Sequence, residues 1–192
     1  MLHPSTRLKA VDPAIGLGVV ATEPIPRGSI VWVRDPLDQV LTPAEIAALP
    51  ALCTADLEHY FWQNRDGDYV LCWDIARYVN HDCDPNCIST EFGFEIAVRA
   101  IAPGEELTND YANIGMLPEE QMVCYCGAPR CRGLVSPADV PVRVRLWTGL
   151  VAASLADVNR VHQPLWSLLP DALRECLRQR YRAPAHADGQ PG

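Results

Sequence analysis

The chain has 192 residues, enough for one domain or for a compact core with a small appended unit. Hydrophobic residues make up 48% of it and charged residues 21%, and no apolar run reaches the about 18 residues that a membrane-spanning helix needs. The net charge of −8 comes from the first 135 residues, while the remainder is weakly basic. Because an acidic surface repels phosphate backbones, we expect no direct nucleic-acid binding, no membrane association and a basic polypeptide partner.

The first half of the chain predicts short strands and one short helix. Residues 1–10 lack the apolar stretch that a secretory signal needs, so we expect a cytoplasmic protein. Residues 15–33 contain two β-rich runs around the turn-forming stretch PIPRGS and predict a hairpin-like ribbon. Residues 42–52 predict a short helix, because a threonine and a proline begin the segment and a second proline interrupts it near its end.

The second half predicts further strands and then a helical region. Turn residues separate several β-like runs. The segment between the runs at residues 69–73 and 88–92 is helix-like or irregular. After Gly133, apolar residues recur at helical spacing and two helices are expected, the second within residues 170–182. The predicted strands are residues 69–73, 88–92, 94–98 and 107–111. The fold class is therefore a β-rich α+β domain of many short strands.

Eight cysteines in a chain without a secretory signal argue against a disulfide framework. Three of them, Cys124, Cys126 and Cys131, lie within eight residues, and a structural zinc ion needs four soft ligands in a tetrahedron. The fourth ligand would be Cys83 or Cys87, some 40 residues upstream. A redox pair or unrelated buried thiols are the alternatives. The isolated cysteines are expected to be small buried hydrophobes: Cys53, Cys72 and Cys176.

Four segments, in this order and at compatible spacings, resemble the SET-domain family of protein-lysine methyltransferases. They are GLG at residues 16–18, RYVNHDCDPN at residues 77–86, GEELTNDY at residues 104–111, and the three-cysteine cluster. The resemblance covers about residues 15–133. It implies a SET fold of small curved β-sheets with a C-terminal pseudoknot, and it makes the cysteine cluster a post-SET zinc site in which Cys83 is the fourth ligand.

The resemblance also implies a division of the chain. A SET domain would span residues 1–115, with an insert at about residues 36–73 that shapes the peptide groove. A post-SET zinc segment would follow at residues 116–135. A short helical C-terminal extension, outside the shared core, would occupy residues 136–182, and residues 183–192 would form a disordered tail.

The function implied by the resemblance is methyl transfer from S-adenosylmethionine to a lysine side chain of a protein. Tyr111 is the expected catalytic residue. Displacement at a sulfonium methyl needs alignment and a neutral amine more than a strong base, and a tyrosine hydroxyl in a narrow aromatic channel provides these conditions. Asp110 is expected to hold Tyr111 or a backbone group in place, and Glu106 to be solvated. The implied cofactor contacts are Gly16, Leu17, Gly18, Asn80, His81, Tyr125 and Arg130.

One departure from the family pattern concerns the channel. Arg34 stands about where many members have a tyrosine, so another aromatic residue, supplied by the insert, would have to replace it. The aromatic residues Trp32, Tyr60, Trp62 and Trp73 either line the channel or fill the core. The departure motivates a second hypothesis, a catalytically silent SET module that acts as a zinc-stabilised peptide-binding or scaffold protein. A third is a zinc-binding interaction domain of other ancestry.

The composition, rich in Ala, Arg and Pro, indicates a bacterial source, in which a secreted effector stays possible. The target protein, the number of methyl groups added and the oligomeric state stay open. Only one lysine, Lys9, is present in the chain.

Overall fold

The computed structural model describes residues 1–54, 60–64, 66–117 and 119–182. Short strands dominate, and the two longest helices lie at the C-terminal end, so the predicted β-rich α+β class is confirmed. The predicted disordered tail, residues 183–192, lies outside the described residues. The strands are β1 (Thr6–Asp12), β2 (Gly16–Ala21), β3 (Ile30–Val33), β4 (Gln39–Leu41), β5 (Phe61–Gln63), β6 (Tyr69–Leu71), β7 (Asn80–His81), β8 (Cys87–Ser89), β9 (Phe94–Ala97), β10 (Thr108–Asn109), β11 (Met122–Val123) and β12 (Leu134–Val135), and the helices are α1 (Pro43–Ala48), α2 (Ala51–Thr54), α3 (Tyr111–Ile114), α4 (Val140–Leu155) and α5 (Asp171–Arg180).

The first two strands form an antiparallel hairpin in which Lys9 lies opposite Gly18. The prediction of a hairpin-like ribbon over residues 15–33 is therefore wrong, since β2 pairs with β1 whereas β3 pairs with β9. Two prolines stand between β2 and β3, and proline has no amide hydrogen with which to continue a ladder. β1 was not predicted as a strand, and most of its side chains are exposed.

A three-stranded antiparallel sheet, in the order β3-β9-β8, provides the main scaffold of the site. Successive strand residues point to opposite faces, which divides β9 between two environments. Phe94 and Ile96 face a hydrophobic cluster that contains Trp147 of α4. Ala97 belongs to a second cluster on the other side, and Glu95 shares that face. The helices thus cover one face of the sheet and leave the other for the site.

The insert at residues 36–73 folds into a small sheet, in the order β4-β6-β5, together with α1 and α2. Thr42 and Glu45 form a capping box at the start of α1. The short helix predicted over residues 42–52 is confirmed, although Pro50 divides the segment and α2 begins after it. The insert therefore adds a separate sheet beside the central one.

A short parallel pairing brings two of the sequence motifs together. β10 runs parallel to β7, so that Thr108 lies beside Asn80. The strand predicted over residues 107–111 is only partly confirmed, because β10 ends at Asn109. The Asp110 side chain accepts a hydrogen bond from the Ala112 amide and caps α3. Tyr111 therefore begins a helical turn rather than ending a strand.

The helical region predicted after Gly133 is confirmed as α4 and α5. Gln163, between the two helices, accepts a hydrogen bond from the Ile30 amide at 2.8 Å and donates one to the Gly28 carbonyl at 2.8 Å. These bonds attach the C-terminal helices to the edge of the central sheet. Among the described helices, none combines the length and the apolar content required to cross a bilayer.

Candidate active site and metal centre

Four cysteine sulfur atoms converge, although one comes from a segment 41 residues before Cys124. The sulfur atoms of Cys83, Cys124, Cys126 and Cys131 all lie within 4.8 Å of one another, and those of Cys83 and Cys124 are 3.7 Å apart. Four sulfur ligands at about 2.3 Å from a zinc ion would lie about 3.8 Å from one another. The separation is too long for a disulfide, in which the sulfur atoms are about 2.05 Å apart.

Hydrogen-bond donors surround this cysteine cluster. Arg132 donates to the Cys83 sulfur from its backbone amide at 3.4 Å and from Nε at 3.3 Å. The Gly133 amide donates to the Cys131 sulfur at 3.4 Å. Hydrogen bonds to ligand sulfur atoms are typical of the surroundings of a metal site. The donor set therefore fits a structural zinc ion.

The remaining cysteines take no part in this cluster. Cys87, the other candidate for the fourth ligand, is buried on β8 of the central sheet, and its thiol donates to the Asn86 side chain at 3.3 Å. Burial raises the pKa of the Cys87 thiol well above its usual value. Cys72 is buried, as predicted, but the prediction is wrong for Cys53 and Cys176, which are exposed. Helix α5 buries Leu177 instead, and none of the residues of α2 is buried.

His81 connects the cysteine cluster to the candidate catalytic residue. Its Nδ1 accepts a hydrogen bond from the Tyr111 amide at 3.1 Å, so its proton resides on Nε2, which lies 3.4 Å from the Cys83 sulfur. Burial lowers the pKa of His81 and keeps the ring neutral. The ring therefore fixes the backbone of Tyr111 relative to the cluster.

The Tyr111 hydroxyl is held in its neutral form. It donates a hydrogen bond to the Val79 carbonyl at 2.9 Å. Burial, together with the charges of Glu106 and Glu95, raises the pKa of Tyr111 to about 12. The hydroxyl is therefore unsuited to act as a base at neutral pH, but its oxygen lone pairs remain available to accept a hydrogen bond.

Asp110 is a fully buried carboxylate that joins three segments. It accepts a hydrogen bond from Arg132 at 2.7 Å and one from the Trp147 indole at 3.2 Å, and Arg143 Nε lies 3.3 Å from it. Arg143 also donates to the Cys83 carbonyl at 2.7 Å. Two cations and one indole thus compensate the buried charge. The network ties the cysteine cluster, the start of α3 and helix α4 to one another.

Asn80 lies against the GLG segment. Its side-chain amide donates to the Leu17 carbonyl at 3.0 Å and to the Glu106 carboxylate at 2.7 Å. The prediction that Glu106 is solvated is therefore wrong: the side chain is half-buried and paired. A Cβ at Gly18 would overlap the Glu106 carboxylate and lie 2.9 Å from the Asn80 amide, so a side chain at this position would displace both groups. Gly16 has a φ of 93°, which favours glycine.

A cavity of about 480 Å³ opens beside Tyr111. Its wall combines Trp32 of β3 with aromatic residues of the insert, including Tyr60 and Trp62. The Trp32 and Trp62 rings meet edge to face, with their centroids 5.8 Å apart. Trp73 does not line the cavity; its indole donates to a buried aspartate instead.

Arg34, which marks the departure from the family pattern, does not line the cavity. Arg34 is exposed and follows the end of β3. The insert supplies aromatic rings to the wall, as the sequence suggested. The basic residue that does line the cavity is Arg77, whose Nε donates to the Asp74 carbonyl at 3.1 Å.

Tyr125 and Arg130 lie next to cysteines of the cluster along the chain, but both side chains are exposed. Their contact with a cofactor stays a prediction, as do the cofactor contacts assigned to the GLG and NH segments.

Three residues of the site were not predicted from the sequence: Glu95, Arg132 and Arg143. Of these, Arg132 could have been noticed, because it directly follows a metal-ligand cysteine.

Residues 16–112 match the SET domain family, and the chain belongs to that family. Together with the small antiparallel sheets and the parallel pairing of β7 and β10, this match confirms the predicted SET fold. The helices after Gly133 lie outside the matched residues.

The curated relatives include histone-lysine methyltransferases from several eukaryotes. Histone-lysine N-methyltransferase ash1 of Drosophila melanogaster is 31% identical over 131 residues, which cover 62% of this chain and 6% of that protein. A histone-lysine N-methyltransferase, H3 lysine-4 specific, of Schizosaccharomyces pombe is 44% identical over 72 residues, or 33% of this chain and 7% of that protein. The chain thus spans less than a tenth of the length of these relatives.

Among solved structures, the crystal structure of KRYPTONITE in complex with mCHG DNA and SAH aligns with a TM-score of 0.47 and 26% sequence identity. The alignment covers 67% of this chain and 28% of that chain.

Proposed function

We propose that the chain is an S-adenosylmethionine-dependent protein-lysine methyltransferase with a structural zinc ion. The observation that carries the proposal is the placement of Tyr111 in a SET domain, with its hydroxyl neutral and directed along the wall of an aromatic cavity. The names of the curated relatives support lysine as the acceptor.

The chemistry requires an aligned, neutral amine in a place from which water is excluded. Because the Tyr111 proton is directed at the Val79 carbonyl, the hydroxyl oxygen is free to accept a hydrogen bond from the lysine amine. The surrounding aromatic rings exclude water and fit the aliphatic part of a lysine side chain. A lysine with an ordinary pKa near 10.4 must lose a proton first, and desolvation next to a cationic sulfonium lowers that pKa.

We assign the cofactor to the side of Tyr111 where the GLG and NH segments meet. Gly16, Leu17, Gly18, Asn80 and His81 would hold it, because the glycines permit close backbone approach, Asn80 donates to the Leu17 carbonyl and His81 accepts from the Tyr111 amide. Tyr125 and Arg130, on the post-SET segment, would cover it. S-adenosylmethionine supplies an electrophilic methyl group when bound, and the zinc ion would fix the covering segment through its four cysteine ligands.

The substrate class that we favour is a basic, lysine-containing protein or peptide, in a cytoplasmic setting. The first 135 residues carry an excess of acidic side chains, which would attract a basic chain. The division into a SET domain, a post-SET segment and a helical extension stays part of this proposal.

Radiolabelled methyl transfer tests the function directly. We would use the Lys9→Arg variant as the parent enzyme, because it contains no lysine and cannot label its own side chains. Purified core histones and then a cell lysate would serve as acceptors, with site mapping by mass spectrometry. Tyr111→Phe should lower the rate about 100-fold, as loss of alignment does, with cofactor binding retained in calorimetry.

The outcomes separate the hypotheses. Labelling that is unaffected by Tyr111→Phe would remove Tyr111 from the reaction. An absence of cofactor binding by the parent enzyme would favour the silent, zinc-stabilised peptide-binding module instead.

A further inference from the structure

Glu95 places a carboxylate in a cavity whose wall is largely aromatic and apolar. It lies on β9, opposite Trp32 of β3 on one side and Ser89 of β8 on the other. Strand alternation directs its neighbours Phe94 and Ile96 into the hydrophobic cluster beneath the sheet. Glu95 therefore extends from the opposite face, the face on which Trp32 lines the cavity.

The hydrogen bonds of Glu95 leave one of its oxygens free among the described residues. Ser89 donates to Oε1 at 3.2 Å, and the Ser89 hydroxyl accepts in turn from the Asn109 amide at 3.4 Å. No described residue donates to Oε2, and no described basic side chain lies within 4 Å of the carboxylate. Protein atoms enclose Glu95 on most sides, but its side chain is only half-buried because the cavity reaches it. A carboxylate in this position suits a ligand that brings a positive charge.

Burial raises the pKa of Glu95 to about 7, while the polar side chains of Asn109 and Ser89 oppose this rise. A carboxylate with such a pKa is about half ionised at pH 7, and its ionised form is a stronger base than an exposed carboxylate. Desolvation also lowers the pKa of a lysine bound beside it, so the proton affinities of the two groups converge.

The other ionisable groups around the cavity are poorly placed to take that proton. Burial raises the pKa of both Tyr111 and Cys72 to about 12, so they stay protonated. Glu120 is exposed and accepts from the Leu117 amide. Other titratable or charged groups surround the cavity. They include the Arg77 guanidinium, the Tyr60 phenol, the buried Cys87 thiol, the carboxylates of Asp38, Asp74 and Glu106, and the Met1 amine, which pairs with Asp35 at 2.6 Å.

We propose that Glu95 is the proton acceptor for the target lysine: its carboxylate binds the ε-ammonium and removes one proton before methyl transfer. The proposal rests on the proposed function. The ammonium N–H bond breaks and an O–H bond forms on Glu95, leaving a neutral amine. The amine lone pair then forms a bond to the sulfonium methyl carbon while the carbon–sulfur bond breaks, and its electron pair stays on sulfur. Glu95 returns its proton to water when the product leaves.

The first test measures selection of a cation. n-Butylammonium mimics the end of a lysine side chain, and 1-pentanol is a neutral analogue of similar length. Binding of each to the complete protein would be followed by NMR at pH 8. The wild type should prefer n-butylammonium, and Glu95→Gln should lose that preference. Glu91→Gln, which removes the same charge from an exposed position four residues earlier, is the matched control and should behave as the wild type.

The second test measures single-turnover methyl transfer to core histones between pH 6 and pH 10. The wild-type rate should rise through an inflection near pH 7 and then level off. Glu95→Gln should be about 100-fold slower at pH 7, in the range typical of a lost general base, and its rate should keep rising toward pH 10 as the free amine becomes available.

Ser89→Ala provides a second variant that leaves the carboxylate in place. Loss of the Ser89 hydrogen bond disfavours the ionised form, so the inflection should move to higher pH. A purely structural role for Glu95 would not produce this shift.

The outcomes distinguish the two proposals. Unchanged cation preference and an unchanged pH profile in Glu95→Gln, with an active wild type, would overturn the role of Glu95 alone. A wild type that binds n-butylammonium through Glu95 but transfers no methyl group would overturn the proposed function, and with it the proton transfer.

Discussion

Around the cavity, burial and hydrogen bonding set the charge of each side chain. Tyr111 and Glu95 line the same space, and burial raises the pKa of both. Burial raises the pKa of Tyr111 to about 12 but that of Glu95 only to about 7, so the two groups differ in protonation near neutral pH. At neutral pH one group is therefore a fixed neutral hydroxyl and the other an exchangeable acid. This difference divides alignment and proton transfer between two residues.

The raised pKa of Glu95 predicts a pH-dependent cost to folding. Its folded value of about 7 lies above the ordinary value of 4.5, so folding favours the protonated acid. The resulting stability is fully present below pH 4.5 and is lost as the pH rises through 7. Glu95→Gln should therefore stabilise the protein at pH 8 relative to pH 5, by roughly 3 kcal/mol at most.

Urea unfolding of both proteins at pH 5 and pH 8 measures this difference. Glu91→Gln should show a much smaller dependence, because Glu91 is exposed. A stability difference for Glu95→Gln that is the same at both pH values would show that the carboxylate is not destabilised by its surroundings.

Among the elements, the segment that carries three of the cysteines has little regular structure of its own. Its strands β11 and β12 are two residues each, and they pair with one another. Arg132 attaches the segment to Asp110 at 2.7 Å and to the Cys83 sulfur at 3.3 Å. Because so few backbone bonds hold it, a bound zinc ion would supply much of its order.

Removal of one ligand should therefore release the metal and weaken cofactor binding together. Cys126→Ser leaves three thiolates for a site that needs four, so zinc should be lost in metal analysis. Cofactor affinity should fall about tenfold in calorimetry, since the covering segment loses its anchor, a change of about 1.4 kcal/mol. Cys176→Ser, at an exposed cysteine on α5, is the control. Zinc loss without any change in cofactor affinity would separate the metal from the cofactor site.

In the molecule as a whole, the C-terminal helices and the SET sheets share one core. Trp147, Leu155 and Leu177 belong to the same hydrophobic cluster as Phe94 and Ile96 of the central sheet. The contact is close, because a Cβ at Gly28 would lie 2.8 Å from the Asp157 side chain. An ion pair between Arg27 and Asp157, at 2.6 Å, lies at the same junction. We expect the described residues to unfold as one unit.

A substitution far from the site tests this cooperativity. Leu177 is fully buried, so Leu177→Ala should lower the free energy of unfolding by about 2 to 5 kcal/mol in a single transition that includes zinc release. Leu52→Ala, at a leucine that is 91% exposed, should change stability by less than about 0.5 kcal/mol. Two separate transitions, with zinc retained through the first, would mean that the C-terminal helices fold independently.

The sequence predicted what depends on nearby residues. The capped helix within residues 42–52 and the two C-terminal helices follow from local periodicity, capping and proline positions, and both are confirmed. Three of the four converging cysteines lie within eight residues, so their grouping was local as well. The resemblance to a known family then supplied the fold and selected Cys83, which the structure places beside the other three.

Tertiary structure decided the pairings and the surroundings of each charge. Strand partners are not determined by the strand sequence alone, which is why β2 was assigned the wrong neighbour. The burial of Asp110 between Arg132 and Arg143 depends on a helix that lies outside the family match. Glu95 looked like one polar residue in a short strand until the fold placed it against an aromatic cavity. The chemistry of a side chain is local, but its pKa and its partners depend on which distant segments enclose it.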